Sequence, residues 1–455
     1  MIETLPTSTT ELTTLVRQLI VENSQLKQRV MELELKLKKS KIDPPPKVRP
    51  NIPDNNDSKL KRKERVKSYV RFRSVPDEVV IHAYSHCPDC GTPVTGDSLA
   101  YDREIIDIPP VKPVVTLHKV LKRFCTHCNK WVTPNVDFSS LALGHARFGV
   151  GIMSIAATLR ERGRLPVRVI QQLFSCLFNL DVSIGEIIES SHKIATKAKD
   201  LYQGLHQAMV TSPSVHADET SHRENGKNGY VWNFTTPKIR YYAYRLSRSG
   251  TVVDEVLGKD FEGVLTTDFY AAYNHIDSNH QRCWSHLLRT LHDLVKIYTD
   301  TSDVEELKWI EKKVNAIYQQ ACQAQHRPHL TLAKRHQERR RLESKLLRFI
   351  TPYLKQKTHP FHTLAKRMDF YLDELFTFIL DPSLETTNNP AERAVRHQVI
   401  KRKISGGTRS KQGSKTQEVI TTIFSTWALN NLNPVEECRK LLTQPTYAAN
   451  FIQEL

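Results

Sequence analysis

The sequences VHADET at residues 215–220 and GVLTTD at residues 263–268 decide the fold, because each is a short apolar run that leads into an aspartate. Between them, YVWNFTT at residues 230–236 and RYYAYRL at residues 240–246 are rich in aromatic side chains and contain no internal glycine or proline. Such segments are typical of strands. The cluster NGKNG at residues 225–229 predicts a hairpin turn.

A short helix is predicted between the third and fourth strands, because Thr251 can cap an apolar turn that Gly258 would end. The predicted order is therefore strand, strand, strand, helix, strand. Asp218 is expected at the end of the first strand and Asp268 at the end of the fourth.

Two carboxylates at the ends of neighbouring strands repel each other unless cations lie between them. Divalent ions with oxygen ligands suit such a site. Two Mg²⁺ or Mn²⁺ ions about 3.5–4 Å apart would support phosphoryl transfer, and a third carboxylate is then expected. The alternative is that Asp218 and Asp268 are ordinary turn residues after strands, and their repeated placement favours the site.

The composition points to a polyanionic partner. The chain of 455 residues carries a formal net charge of +17, and its pI is near 9.4. Nucleic acid is the first candidate partner and an anionic membrane the second. The sequence contains no apolar stretch as long as a membrane span and no signal-peptide pattern at its start, which predicts a cytosolic protein.

The first 42 residues show a heptad pattern that predicts a leucine-zipper coiled coil and hence a homodimer or a larger oligomer. Asn23 at a core position would fix the register. The alternative is one amphipathic helix packed on its own domain. The leucines that repeat every seven residues are Leu5, Leu12, Leu19, Leu26 and Leu33, and the companion positions four residues later hold Val16, Asn23, Val30 and Leu37.

A proline-rich linker at residues 43–57 leads into a basic run at residues 59–73, which has eight Lys or Arg against one Glu. Prolines rule out a continuous helix or strand in the linker. The basic run, which includes Lys61, Arg62 and Lys63, is interpreted as an arm that contacts DNA phosphates. Its alternative is a solvated charged face.

Two C-x-x-C pairs predict a structural Zn²⁺ site with four sulfur ligands, Cys87, Cys90, Cys125 and Cys128. His86 and His127 adjoin the pairs and are alternative ligands. A four-sulfur site has no open position, so it would serve folding or DNA docking. Short strands are expected between the pairs, at residues 104–108 and 114–124.

Residues 140–210 have helical periodicity, with one helix around residues 166–178 and another from Ile184. The spacing resembles a helix-turn-helix, although any helical hairpin shares it. Residues 301–380 are charged and strongly helical, which predicts a helical insertion.

The sequence TTNNPAERAVR at residues 386–396 supplies the third acid, Glu392. Asn388 or Asn389 can cap a helix whose first turn holds this residue, and cations follow it closely. The alternative is a surface helix on which Glu392 completes a capping box.

Five motifs together resemble a known family. They are HADET around Asp218, GVLTTDFYAAY around Asp268, RCWSHLLR at residues 282–289, TNNPAERAVR around Glu392 and IKRKISGGTRS at residues 400–410. This set is similar to the DDE transposases encoded by bacterial insertion sequences of the "sixty-six" family, the TnpC type. The heptads and C-x-x-C pairs resemble the N-terminal modules of that family, so the likeness covers nearly the whole chain.

The resemblance implies a multidomain α/β protein with an RNase H-like catalytic core, a mixed sheet with flanking helices. Asp218, Asp268 and Glu392 would bind two Mg²⁺ or Mn²⁺ ions there. Cys283 and His286 resemble a C-x-x-H signature of related families and would have a supporting role, against the alternative of simple packing. Phosphate contacts are expected from Arg393, Arg396, Lys401, Arg402, Lys403 and Arg409, with Gly406 and Gly407 allowing close backbone approach.

The predicted organisation runs as follows: coiled coil 1–42, linker and basic arm 43–80, zinc-binding module 81–136, helical DNA-binding segment 140–210, catalytic core 211–290 and 381–430, all-α insertion 291–380, and C-terminal tail 431–455.

The implied function is binding of the terminal inverted repeats of an insertion sequence, metal-dependent strand cleavage, and transfer of the 3′-OH into target DNA. The partners would be double-stranded DNA, a second copy of the chain and accessory proteins of the same element, in the bacterial cytoplasm near the nucleoid and without a membrane. One alternative is an RNase H-like nuclease that cuts but does not join. The other is a transposase-derived DNA-binding regulator without catalysis.

Overall fold

The computed structural model describes residues 75–455 apart from residues 97, 110 and 145. The predicted zipper, the proline-rich linker and the basic run with Lys61, Arg62 and Lys63 therefore lie outside the described residues. The chain divides into two compact units, Met1–Ile106 and Asp107–Leu455. No helix in the described part of the chain combines the length and the apolar character needed to cross a bilayer.

The second unit is built on a mixed five-stranded sheet in the order β5-β4-β3-β6-β7. The strands β3, β4 and β5 are antiparallel neighbours, whereas β6 runs parallel to β3, and β7 runs parallel to β6. A separate small hairpin consists of β1 and β2. The strands are β1 Arg123–Cys125, β2 Lys130–Val132, β3 Ser214–Glu224, β4 Lys227–Thr235, β5 Arg240–Arg245, β6 Val264–Thr267 and β7 Asn279–Arg282.

The first strand of the sheet is longer than its sequence predicts. β3 continues past Asp218 to Glu224, so this aspartate lies in mid-strand and not at a strand end. The extension pairs with β4 through a two-residue turn at Asn225 and Gly226, whose φ values of 49° and 78° are those of a type I′ hairpin. The prediction failed because the residues after Asp218 are polar and lack the apolar alternation of a half-buried strand.

Thirteen α-helices are present in the described residues, and they surround the sheet and form the insertion. They are α1 Val150–Glu161, α2 Val167–Phe178, α3 Ile184–Lys197, α4 Lys199–Val210, α5 Thr251–Leu257, α6 Trp284–Ile297, α7 Val304–Gln325, α8 Leu332–Leu354, α9 His362–Phe370, α10 Asn389–Ser405, α11 Lys411–Leu429, α12 Pro434–Thr443 and α13 Tyr447–Gln453.

The second unit contains two large hydrophobic cores. In the first, side chains of β3 and β4 such as Ala217 and Trp232 pack with Leu205 of α4 and Phe424 of α11. The C-terminal helices α12 and α13 complete this core, for example through Phe451. The second core lies among α6, α7, α8 and α9, the helices of the region that the sequence identified as an insertion.

The outer edge of β5 is covered by α11. Four residues of a helix rise about 6 Å and two residues of a strand about 6.7 Å, so side chains four apart on a helix can follow alternate N–H groups of a strand. This arrangement satisfies the edge of the sheet without a further strand. The pairs are Thr426 Oγ1 with the N–H of Arg240 (3.2 Å), Thr422 Oγ1 with that of Tyr242 (3.0 Å) and Glu418 Oε2 with that of Tyr244 (2.9 Å).

The opposite edge, β7, is covered by a short turn of 3₁₀-helix at Thr377–Ile379. The hydroxyl of Thr377 donates to the carbonyl of His280 at 2.6 Å, and the N–H of Phe378 donates to the side chain of Gln281 at 2.9 Å. Both edges of the sheet are thus occupied by other parts of the same unit.

Around the cysteine pairs, strand structure is less extensive than predicted. In the described residues, 104–108 form no strand, and of the segment 114–124 only its last two residues belong to β1. The isoleucine and valine side chains that suggested strands there are exposed, for example Ile105 and Val114. Without a buried face, an apolar run does not select a strand.

Candidate catalytic site

Asp218 and Asp268 are brought together by the register of two neighbouring parallel strands. Ser214 of β3 pairs with Val264 of β6, an offset of 264 − 214 = 50 residues. The two aspartates have the same offset, 268 − 218 = 50, and so they lie at one level across strands that are about 4.8 Å apart. Asp268 directly follows β6, where the chain leaves the sheet.

Helix α10 carries Glu392 across the face of β3 and β4. Tyr242 donates its hydroxyl hydrogen to the carbonyl of Ala394 at 3.0 Å, and Tyr244 donates to the side-chain oxygen of Gln398 at 3.0 Å. These tyrosines are buried in the sheet, so they fix α10 in place. Glu392 lies in the first turn of the helix, whose N-cap is Asn388.

Asn388 connects the elements that carry the acids. Its side-chain amide donates to the carbonyl of Ala217, the residue before Asp218, at 2.7 Å. Its backbone N–H donates to Cys283 Sγ at 3.1 Å, and its carbonyl accepts the N–H of Glu392 at 3.1 Å. The sequence predicts Asn388 or Asn389 as the cap, and Asn388 is the N-cap residue, but its side chain makes no capping hydrogen bond. Its bond to β3 required the tertiary fold.

The charge on Asp218 is poorly compensated. Burial raises the pKa of Asp218 to about 7, with further contributions from the negative charges of Glu219 and Asp268 and a smaller one from Glu392. The backbone N–H of Glu219 donates to Asp218 Oδ1 at 2.9 Å and opposes the rise in pKa. A cation among these carboxylates would remove the cost of ionising them together.

Glu219 is a further buried acid that the sequence analysis missed. It accepts a hydrogen bond from Tyr273 Oη at 2.6 Å and pairs with Arg248 at 2.7 Å. These partners occupy both carboxylate oxygens, so Glu219 acts on the site through its charge. Its position directly after Asp218 was the available signal.

Arg282 holds the chain around Asp268, and it too was missed as a site residue. Its Nη1 donates to the carbonyl of Asp268 at 2.9 Å and to Thr267 Oγ1 at 2.8 Å. Its side chain is fully buried, pairs with Glu374 and lies over the ring of Tyr371. Its place directly before Cys283 in the sequence RCWSH was the available signal.

Cys283 and His286 lie beside the third acid. Cys283 is the N-cap residue of α6, and His286 is three residues later. Among the described residues, Cys283, His286 and Glu392 form the group of three potential metal-ligand side chains whose ligand atoms lie within 4.8 Å of one another. Glu392 therefore faces this pair, and the three acids Asp218, Asp268 and Glu392 are not gathered as closely.

The predicted phosphate-binding cations divide into two groups. Arg393, Arg396, Lys403 and Arg409 are exposed, which suits contact with DNA. Arg402 is half-buried, and its guanidinium bonds to Ser221.

Lys401 does not fit the expectation of a phosphate contact. Its ammonium is buried and bonds both carboxylate oxygens of Glu161, at 2.7 and 2.8 Å. Burial and pairing leave it no free donor face toward DNA.

Gly406 and Gly407 allow a close backbone contact, but the contact is with β3 of the same chain. Both have positive φ, 73° and 107°. The N–H of Thr408 donates to the carbonyl of Arg223, and a Cβ on Gly407 would lie 2.2 Å from that oxygen. This loop is therefore built against the end of β3, and the expectation that the glycines approach a phosphate is replaced by this contact.

Each cysteine pair forms a tight turn of its own. The N–H of Gly91 donates to the carbonyl of Cys87 at 2.9 Å, and hydrogen bonds from Thr92 lower the pKa of Cys90. In the second unit, the N–H of Cys128 donates to Cys125 Sγ at 3.4 Å, and this bond lowers the pKa of Cys125. Such bonds favour the thiolate that a metal requires.

Comparison with known protein families identifies both regions. Residues 145–416 match the transposase IS66 family, and residues 85–129 match the zinc-finger binding domain of transposase IS66. The chain belongs to the IS66 transposase family. The match to the zinc-finger domain includes all four cysteines of the two pairs and supports a structural zinc in this member of the IS66 family.

Two curated relatives resemble parts of this IS66 family chain, both from Sinorhizobium fredii (strain NBRC 101917 / NGR234). The uncharacterized protein y4jD is 24% identical over 293 residues, which are 58% of this chain and 56% of y4jD. The uncharacterized protein y4qI is 25% identical over 229 residues, which are 46% of this chain and 41% of y4qI. The chain thus spans about half the length of the curated relatives it matches.

Proposed function

We propose that this chain is a DDE transposase whose core is RNase H-like and whose catalytic acids are Asp218, Asp268 and Glu392. The observation that carries the proposal is the register of β3 and β6, which sets two half-buried aspartates at one level beneath the helix that bears the glutamate. Three antiparallel strands followed by two parallel ones is the order expected of such a core.

The residues present suit two Mg²⁺ or Mn²⁺ ions. These ions prefer oxygen ligands. Burial and the neighbouring carboxylates raise the pKa of Asp218, and a cation bound among these carboxylates would compensate their charge. Glu392 Oε1 is buried and has no hydrogen-bond partner in the described structure. When bound, such ions would activate the attacking oxygen and stabilise the leaving oxygen of a phosphodiester.

The chain's own residues would prepare the site. Arg282 fixes the backbone at Asp268, and Asn388 ties the start of α10 to β3, so the elements that carry the three acids are held together before DNA binds. Preorganisation of this kind lowers the cost of reaching the reactive geometry. We propose cleavage at the element end, followed by attack of the released 3′-OH on target DNA in the same site.

DNA would be held by several parts of the protein. Arg393, Arg396, Lys403 and Arg409 would contact phosphates, together with the basic arm at Lys61, Arg62 and Lys63. A Zn²⁺ ion held by Cys87, Cys90, Cys125 and Cys128 would keep the N-terminal module folded for recognition of the terminal repeats.

We also propose that the chain acts together with other protein chains. Residues 1–42 would link two copies of the chain through a leucine zipper, and accessory proteins of the element would join the complex. The protein would act on DNA in the bacterial cytoplasm.

The test is strand transfer in vitro with labelled element-end DNA, supercoiled target DNA and Mg²⁺. We expect joined product from the unaltered protein and none from Glu392→Gln. Glu385→Gln is the matched control, because Glu385 is an exposed acid seven residues earlier in the chain, and it should retain activity.

The outcomes separate the alternatives. Cleavage without joining, with the correct end sequence and accessory proteins present, would replace the proposal by a nuclease. DNA binding with neither cleavage nor joining would favour a regulator. Equal loss of joined product in Glu392→Gln and Glu385→Gln would show that the effect is not specific to Glu392.

A further inference from the structure

A thiol, an imidazole and a carboxylate, all potential metal ligands, meet at Glu392, one of the three proposed catalytic acids. His286 Nδ1 and Glu392 Oε1 are 3.7 Å apart, and the ligand atoms of Cys283, His286 and Glu392 all lie within 4.8 Å of one another. Both the imidazole nitrogen and the carboxylate oxygen are buried atoms that have no hydrogen-bond partner in the described structure. Buried polar atoms without partners are costly, so a missing ligand is a direct explanation.

The ligands converge because two helices begin at the same place. Cys283 and His286 belong to the first turn of α6, and Glu392 to the first turn of α10. The N–H of Asn388, the N-cap of α10, already points at Cys283 Sγ. Burial raises the pKa of the Cys283 thiol, and the N–H of Asn388 opposes that rise. A bound cation would supply the remaining stabilisation of the thiolate, the form in which cysteine binds metal.

The donor set favours a softer cation than Mg²⁺. Thiolate, imidazole and carboxylate are the ligands of Zn²⁺, whereas Mg²⁺ prefers oxygen alone. With bonds of 2.0–2.3 Å, ligand atoms around a tetrahedral Zn²⁺ are separated by about 3.3–3.8 Å. A nitrogen and an oxygen ligand, with bonds of 2.0–2.2 Å, would lie about 3.3–3.5 Å apart, so the 3.7 Å between His286 Nδ1 and Glu392 Oε1 has to shorten only slightly when an ion binds.

We propose that Cys283, His286 and Glu392 form a Zn²⁺ site, and that a cation bound there withdraws Glu392 from the Asp218 and Asp268 pair. The His286 and Glu392 side chains are 32% and 26% exposed, so an ion can enter from solvent and keep an open fourth position. The site itself stands on these three side chains. Its inhibitory consequence rests on the proposed function, because Glu392 must otherwise serve the catalytic ions.

The test is titration of the full-length protein with Co²⁺ after one equivalent of Zn²⁺ has filled the zinc-finger domain. We expect a further equivalent of bound Co²⁺ and a sulfur-to-cobalt charge-transfer band. Cys283→Ser should lose this band, and His286→Asn should weaken Co²⁺ binding at least about tenfold. Circular dichroism checks that both variants fold, and His286→Asn, at a partly exposed position, carries the test if Cys283→Ser does not.

Two controls make the result specific. Cys322→Ser changes a half-buried cysteine in the insertion and should keep the band. Asp218→Asn should keep the band as well, although it removes a ligand of the proposed Mg²⁺ site. An unchanged band and stoichiometry in both Cys283→Ser and His286→Asn would overturn the site.

The inhibitory role has a separate readout. Zn²⁺ should suppress Mg²⁺-dependent cleavage at least about tenfold less in Cys283→Ser than in the unaltered protein, measured relative to each protein's own activity without Zn²⁺. Loss of the cobalt band in Cys283→Ser with unchanged Zn²⁺ inhibition would leave the site and reject its role. Absence of all Mg²⁺-dependent activity in the unaltered protein would instead count against the proposed function.

Discussion

Two carboxylates of the same unit, the buried Glu161 and the half-buried Asp218, have opposite environments. Glu161, at the end of α1, accepts hydrogen bonds from Lys401, Gln417 and Thr421. Burial alone would raise the pKa of Glu161, but the charges of Lys401 and Arg160 outweigh it and hold the pKa below its ordinary value. This carboxylate is a structural ion that the fold has fully compensated.

Asp218 shows the reverse. Its neighbours Glu219, Asp268 and Glu392 are all acidic, and its pKa rises to about 7. Burial by itself therefore does not mark a functional acid. What distinguishes Asp218 is that its neighbours add negative charge, where those of Glu161 supply cations and hydrogen-bond donors, and a carboxylate perturbed in this way is a candidate functional residue.

The largest expected effect is on catalysis. Asp218→Asn should lower strand cleavage and joining by at least about 10³-fold, the scale reached when one preorganised electrostatic group is removed. The same change should not destabilise the metal-free protein, because it removes an uncompensated charge. Cleavage assays and thermal unfolding without metal check the two halves, and loss of both activity and stability would contradict the contrast with Glu161.

Breaking the compensated site should cost stability. Glu161→Leu should lower the free energy of unfolding by about 3–5 kcal/mol, because Lys401 is left buried without its counter-charge. The double variant Glu161→Leu with Lys401→Met should recover most of the loss. Urea unfolding measures both, and a double variant as unstable as the single one would show that the pair is not the cause.

The two carboxylates should also differ in their response to pH. The folded-state pKa of Asp218, about 7, lies above its ordinary value of 3.8, so between these values the native state binds more protons than the unfolded state. Its contribution to the stability of the metal-free protein is therefore present at about pH 4 and lost as the pH rises through 7, by about 4 kcal/mol.

The difference in the free energy of unfolding between the unaltered protein and Asp218→Asn, measured as a function of pH, isolates this contribution. Mg²⁺ should reverse the loss at pH 8 in the unaltered protein alone, since the ion binds the ionised carboxylate. A pH dependence that is identical in the two proteins would mean that Asp218 ionises normally.

The smallest effect is expected at a third buried carboxylate, Glu418. It pairs with Arg245 at 2.9 Å and with Lys415 at 2.6 Å, and the lysine side chain is 59% exposed. Lys415→Met should change the free energy of unfolding by less than about 1 kcal/mol, because an exposed ion pair contributes little and Arg245 remains. A loss as large as that of Glu161→Leu would show that exposure does not separate the two pairs.

The sheet was largely predictable from sequence because its strands have strong local signals. The aromatic runs became β4 and β5, and the run before Asp268 became β6. The predicted helix at residues 251–257 begins one residue earlier than a Thr251 cap would place it, after Gly250, and ends before Gly258 as expected. Local chemistry decided these elements.

The candidate site was predictable only in part. The motifs pointed to Asp218, Asp268 and Glu392, but the Glu161 partner of Lys401 is 240 residues away in sequence, and no local pattern marks it. A signal for Lys401 did exist, because it lies seven residues after Ala394 and so falls on the buried face of α10. Cations that follow an acid on a helix are not all on the same face.

The covered edges of the sheet have a consequence for how the protein associates and moves. An open edge strand would invite another chain to add a strand, and here α11 and the turn at Thr377–Ile379 occupy both positions. A second chain would therefore have to associate with this unit through other surfaces. The amide hydrogens of Tyr242 and Tyr244 should exchange with solvent slowly despite their place on an outer strand, and their exchange rates would report how often α11 detaches.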